Sequence, residues 1–168
     1  MRFRFLHMAD VHLGFMQYQS RERYNDFALA FEDVVQKALA RKADFVLLAG
    51  DLFHKRSIDG RTLLQATRIL SSLRDAGIPV LAVEGNHERA HVDEEFSWID
   101  YLGAERFVTL LDIKYEGERL VLEPWEDGAG AYIDLPCGAR VFGVHYVGGS
   151  TSRVVRDLAQ AITELPGP

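Results

Sequence analysis

The first half of the chain alternates between compact apolar runs and stretches in which apolar residues recur at helical spacing. Phe3 to Ala9 is a short apolar run and predicts a first strand. From Tyr24 to Ala40 the apolar positions Phe27, Ala28, Phe31, Val34, Val35, Ala38 and Leu39 fall three and four apart, the period of one helix face. Phe45-Val46-Leu47-Leu48-Ala49 is apolar at every position, as a parallel strand buried on both faces must be. Arg61 to Asp75 returns to helical spacing, and Gly77 stops it. Pro79 to Val83 is a third buried strand. The order β-α-β-α-β predicts two right-handed crossovers and a parallel sheet, hence an α/β fold.

The texture then changes. Asp93 to Tyr101 predicts a short helix. Phe107–Leu111, Arg119–Leu122, Ala131–Leu135 and Arg140–Val144 are short strands between Gly, Pro and Asp turns, which suggest an antiparallel run forming a second sheet or its edge. Thr151 to Leu165 is a last amphipathic helix, with Val154, Val155, Leu158 and Ile162 assigned to one face. No repeat or flexible linker interrupts the 168 residues, so the chain reads as one domain with a sizeable core.

Composition narrows the class. With 48% hydrophobic and 26% charged residues the chain has ordinary globular content, and no apolar run is long enough to span a bilayer. A lone Cys137 excludes an internal disulfide and fits a reducing, cytoplasmic setting. It stands in a Pro-Cys-Gly turn with no evident base and reads as a structural thiol. The net charge of −6 argues against passive nucleic-acid binding, unless acidic and imidazole groups hold cations where a phosphate lands.

The chemistry collects at the carboxyl ends of the predicted strands, where open parallel sheets bind ligands. Asp10-Val11-His12 follows the first strand, Gly50-Asp51 the second, with His54 in the same loop, and Gly85-Asn86-His87-Glu88 the third. Each motif alone is weak or moderate. The ordered set, delivered to one rim, points to a metal site. Carboxylate, imidazole and amide oxygen suit Mn²⁺, Mg²⁺, Fe or Zn²⁺ in a hydrolytic pair. Asp10 and His12 can reach one ion together, Asp51 can bridge two, and Asn86 offers its side-chain oxygen to the second. His87 and His54 are candidates to act on the phosphate or the leaving oxygen, although either alone would more often be a packed or surface residue. His7, inside the first strand, reads as structural, His91 as a surface residue, and Asp44 as a turn or cap residue.

The segments Phe5 to Gly14 (FLHMADVHLG), Leu48 to His54 (LAGDLFH) and Val83 to Glu88 (VEGNHE) resemble the calcineurin-type metallophosphoesterases. Within them they are similar to the SbcD-type nuclease subunits of double-strand-break repair complexes. The resemblance covers nearly the whole chain. It implies an α/β/β/α sandwich, two Mn²⁺ ions, exo- and endonuclease activity on DNA, a homodimer, and an ABC-type ATPase partner of the SbcC type. By position, it makes Asp10, His12, Asp51 and Asn86 metal ligands, and gives His54 and His87 roles on the phosphate. It also places a dimer interface on Arg61–Asp75 and Asp93–Leu102, pointing to Leu63, Trp98 and Leu102; the same residues could simply face the core.

Two departures stand out. The family's Gly-Asn-His-Asp reads Gly-Asn-His-Glu here, so Glu88 keeps the charge and lengthens the reach. The family also takes ligands from a later His and a His-x-His loop, whereas His145 is the last histidine of this sequence. The expectation is an N-terminal portion of the nuclease domain, residues 1–168, truncated before the remaining ligand loops, with part of the second sheet missing and impaired activity on its own. The competing readings are a small-molecule phosphodiesterase or phosphatase, and a non-catalytic dimerising fragment.

Overall fold

The computed structural model describes residues 2–89 and 96–167. Four strands form an all-parallel sheet in the order β1 (Phe5–Met8), β2 (Phe45–Ala49), β3 (Val80–Val83) and β4 (Thr109–Leu110). Three helices make the crossovers: α1 (Arg21–Ala40), α2 (Gly60–Asp75) and α3 (Trp98–Ala104). Register places His7 beside Leu47 and Leu47 beside Leu81, so the strands end nearly level at one rim.

Local signals set the helix bounds. Ser20 caps α1 by accepting from the Arg23 N–H, and Asp59 caps α2 by accepting from the Thr62 N–H at 2.7 Å. After α2, Gly77 takes φ +69° while its N–H donates to the Arg74 carbonyl and that of Ile78 to Leu73, a left-handed stop that needs no Cβ. Ser97 and Asp100 form a reciprocal capping box, which starts α3 at Trp98. The helix expected over Asp93–Tyr101 is therefore displaced along the chain, and Asp93, like His91, lies outside the described residues.

Each sheet face buries one parity of β2. Val46 and Leu48 pack with Ala28, Phe31 and Val35 of α1 and with Ala66, Leu70 and Leu73 of α2. Phe45 and Leu47 pack on the other side with Leu81, Leu111, Leu135 and Ala139. This second layer contains the antiparallel hairpin β7 (Tyr132–Asp134) and β8 (Arg140–Phe142). A separate hairpin, β5 (Lys114–Glu116) and β6 (Arg119–Val121), packs beneath α4 (Thr151–Thr163) through Ile113, Leu120 and Val154. The order of layers is helix, sheet, strand pairs, helix, as the α/β/β/α expectation requires. On β1 the second face is only partly covered: Phe5 stacks on Phe45 at 5.2 Å between ring centroids yet stays 48% exposed.

Three expectations are corrected. The Phe107–Leu111 segment does not join an antiparallel sheet. Its strand β4 pairs parallel to β3, because α3 returns the chain in the same direction. On α4, Val154, Leu158 and Ala161 pack inward, whereas Val155 is 58% exposed and Ile162 is also exposed. Leu102 is fully buried in the α1–α2 core cluster, so its side chain is unavailable to a second copy. Leu63 is half-buried against the same core, and Trp98 remains exposed, edge-on to Tyr101.

Candidate metal centre

The loops after β1 and β2 run side by side and extend the sheet pairing beyond the strands. The Asp10 N–H donates to the Gly50 carbonyl, His12 to Asp51, Leu13 to Leu52, and His54 to Leu13. This ladder brings Asp10, His12, Asp51 and His54 to one rim. Asp10, His12 and Asp51 have φ of 55°, 52° and 55°. Left-handed backbone is unfavourable for side chains with a Cβ, and its recurrence at three candidate ligands marks a loop shaped for more than connection.

The third loop approaches so closely that only glycine fits. A Cβ on Gly85 would lie 2.0 Å from Asp51 Oδ1 and 2.4 Å from the Asp51 nitrogen. The reward is contact between loops: the His87 N–H donates to Asp51 Oδ1 at 3.1 Å. Asp51 is itself buried.

Glu88 ties the second and third loops together from beneath. Its Oε2 accepts from the N–H of Asp51 and of Gly85, each at 3.0 Å, and its Oε1 from the N–H of Phe53 at 3.1 Å. Burial pushes its carboxyl up to about 7, against the opposing pull of the backbone donors. The Glu88 side chain thus reaches Gly85 in its own loop and Asp51 and Phe53 in the other. Sequence reasoning noted the substitution but not this clamp. The available signal was an acidic side chain just behind two tight glycine turns, where orphan N–H groups need an acceptor.

Three imidazoles stand in a near-equilateral triangle. Ring centroids are 5.3 Å apart for His12 and His54, 5.0 Å for His12 and His87, and 5.4 Å for His54 and His87. Phe15 stacks on His54 at 3.9 Å, a contact with no signal in the sequence. His87 Nδ1 lies 2.7 Å from the His54 carbonyl oxygen. A carbonyl can only accept, so Nδ1 is the donor in this contact and Nε2 is left outside it. Burial, then the proximity of His12 and His87, holds His54 below the usual histidine range.

Donor atoms of Asp10, His12 and Asp51 lie within 4.8 Å of one another, as do those of His12, His54 and His87. The Nδ1 atoms of His12 and His54 are buried without a hydrogen-bond partner. Orphaned imidazole nitrogens, convergent carboxylates and a glycine cradle fit divalent cations. Asn86 lies exposed between Gly85 and His87 on the same rim, within the third loop. His145 pairs through Nδ1 with Asp112, and the N–H of the next residue, Tyr146, donates to the Glu84 carbonyl at the root of the third loop. His7 is exposed on β1. Asp44 serves as a turn residue, exchanging hydrogen bonds with the backbone of Arg4.

Comparison with known proteins places this geometry. The chain is 43% identical over 110 residues to the DNA double-strand break repair protein Mre11 of Archaeoglobus fulgidus, covering 61% of this chain and 25% of that protein. It is 48% identical over 90 residues to the Mre11 of Aeropyrum pernix, covering 54% and 22%. The Mre11 of Haloferax volcanii matches at 46% over 97 residues, covering 58% and 21%. The matched stretches thus span about a quarter of these relatives. No described helix is long and apolar enough to cross a membrane. The model of the calcineurin-like phosphoesterase family matches residues 3–159, and this chain, with its strand-end cluster of acidic and imidazole groups, belongs to that family.

Proposed function

We propose that Asp10, His12, Asp51 and Asn86 hold two divalent cations, Mn²⁺ foremost, and that the site hydrolyses DNA phosphodiester bonds as an exo- and endonuclease of double-strand-break repair. The observation that carries this reading is the convergence of Asp10, His12 and Asp51 from separate strand ends to within 4.8 Å. The relatives named for double-strand-break repair support the substrate class. A bound cation pair would activate a water and neutralise charge on the phosphoryl oxygens.

The chain's own residues do the rest. Asp10 and His12 would hold one cation, and the buried Asp51 carboxylate would be shared with the second. The His87 N–H on Asp51 Oδ1 fixes the orientation of that carboxylate. His87 is locked through Nδ1, so its Nε2 meets the phosphate or the leaving oxygen. His54, kept neutral by burial and steadied by Phe15, takes the neighbouring position on the phosphate. The partners that complete this reading are a second copy, with Trp98 and Leu63 at the contact, and an ABC-type ATPase of the SbcC type, in the cytoplasm.

The test is cleavage of end-labelled duplex DNA with millimolar Mn²⁺ or with chelator, for wild type, Asp51→Asn and His87→Asn. Mn²⁺-dependent cleavage should fall by at least about 10²-fold in each variant. Hydrolysis of bis-p-nitrophenyl phosphate without cleavage of DNA would instead assign a small-molecule phosphodiesterase.

A further inference from the structure

We propose that His12, His54 and His87 form a second, all-nitrogen cation position that takes Zn²⁺ in competition with the oxygen-rich position of Asp10, His12 and Asp51. The two donor groups share His12, and each gathers its atoms within 4.8 Å. They differ in chemistry. Two carboxylates and one imidazole suit a hard ion that retains waters, whereas three imidazoles suit Zn²⁺, with a fourth position left to solvent.

Several features prepare the triangle for a metal. A tetrahedral zinc holds its nitrogens about 3.3 Å apart. The donor atoms of the three rings already lie within 4.8 Å of one another, so side-chain rotation would bring them to that spacing. The His87 Nδ1–H bond to the His54 carbonyl is the outer contact that commonly orients a metal-binding imidazole and frees its Nε2. His12 and His54 each keep a buried Nδ1 with no hydrogen-bond partner. Phe15 stacks on His54 and so restrains that ring.

The consequence is a switch by exchange of metal. Zn²⁺ at the three histidines takes His12 from the hydrolytic set and engages His54 and His87, the groups proposed above to meet the phosphate. Borderline ions should therefore inhibit rather than support hydrolysis, with Mn²⁺ and Zn²⁺ excluding one another through His12.

The experiment measures binding. X-ray absorption at the zinc edge of the wild-type protein should show a four-coordinate shell with three imidazoles. Zn²⁺ affinity, measured by competition with a chromophoric chelator, should fall at least roughly tenfold in His54→Ala and change little in Asp51→Asn. Mn²⁺ affinity by electron paramagnetic resonance should show the opposite pattern. Thermal melts identify a variant that has lost its fold, and the wild-type absorption spectrum decides the matter independently of every variant. A zinc shell with at most one imidazole, or Zn²⁺ affinity lost in Asp51→Asn and retained in His54→Ala, would overturn the proposal. Mn²⁺ binding that survives Asp51→Asn would instead overturn the hydrolytic reading, so the two failures are distinguishable.

Discussion

The carboxylate of Glu88 accepts the backbone N–H of Asp51 at 3.0 Å, so the residue behind one candidate-ligand loop fixes the position of a candidate ligand on another. The same carboxylate holds Gly85 and Phe53. Replacing Glu88 with Ala strips three N–H groups of their acceptor at a buried position. Even with partial rescue by water, Glu88→Ala should cost at least about 2 kcal/mol in denaturant unfolding. It should also weaken Mn²⁺ binding, because the Asp51 loop is no longer held.

The same residue gives the metal-free protein a pH signature. Burial raises the Glu88 carboxyl from about 4.5 to about 7 on folding. A raised folded value means that the native state holds the proton more tightly than the unfolded chain does. Its contribution to stability is complete below about 4.5 and is lost as pH rises through 7. Relative to Glu88→Gln, which does not titrate, the wild type in chelator should lose roughly 3 kcal/mol across that window. Urea melts at several pH values would measure it, and a gap constant with pH would contradict the assignment.

Gly85→Ala tests how closely the loops must meet. Its Cβ would fall 2.0 Å from Asp51 Oδ1, and backbone lies too close for a simple side-chain shift. The expected outcome is a loss of about 1–3 kcal/mol in stability with a larger proportional loss of Mn²⁺ affinity, read by titration calorimetry.

Leu102 and Trp98, paired by the resemblance as interface residues, should separate. Leu102→Ala removes a fully buried core side chain and should cost about 2–5 kcal/mol. Trp98 is 36% exposed, so Trp98→Ala should change stability much less. If Trp98 packs against a second copy, its removal should shift a dimer toward monomer by light scattering. A dimer equally stable in Trp98→Ala would exclude this residue from the interface.

Much of the rim was legible from the chain because its strands announce themselves. Phe45 to Ala49 is apolar at every position, Gly50 follows β2, and Pro79 and Gly85 flank β3, so the three loop motifs could be placed at strand ends and read together. The second half resisted for identifiable reasons. Lys114-Tyr115-Glu116 is exposed throughout β5 and leaves no alternation to detect. The direction of β4 depends on where α3 returns the chain, which two strand residues cannot encode. Leu102 and Trp98 sit four apart on one short helix, and only packing tells which is covered. The Glu88 clamp and the His12–His54–His87 triangle are contacts between loops, and spacing within a loop does not reveal them.

Asp10, His12 and Asp51 are proposed to gather a divalent cation at the strand ends. Anomalous diffraction at the manganese edge, on crystals soaked in millimolar Mn²⁺, tests it most directly. An anomalous peak should appear within bonding distance, about 2–2.5 Å, of Asp10, His12 and Asp51 side-chain atoms, and should vanish in Asp51→Asn. A well-ordered wild-type crystal without a peak there, or with Mn²⁺ bound only elsewhere, would contradict it.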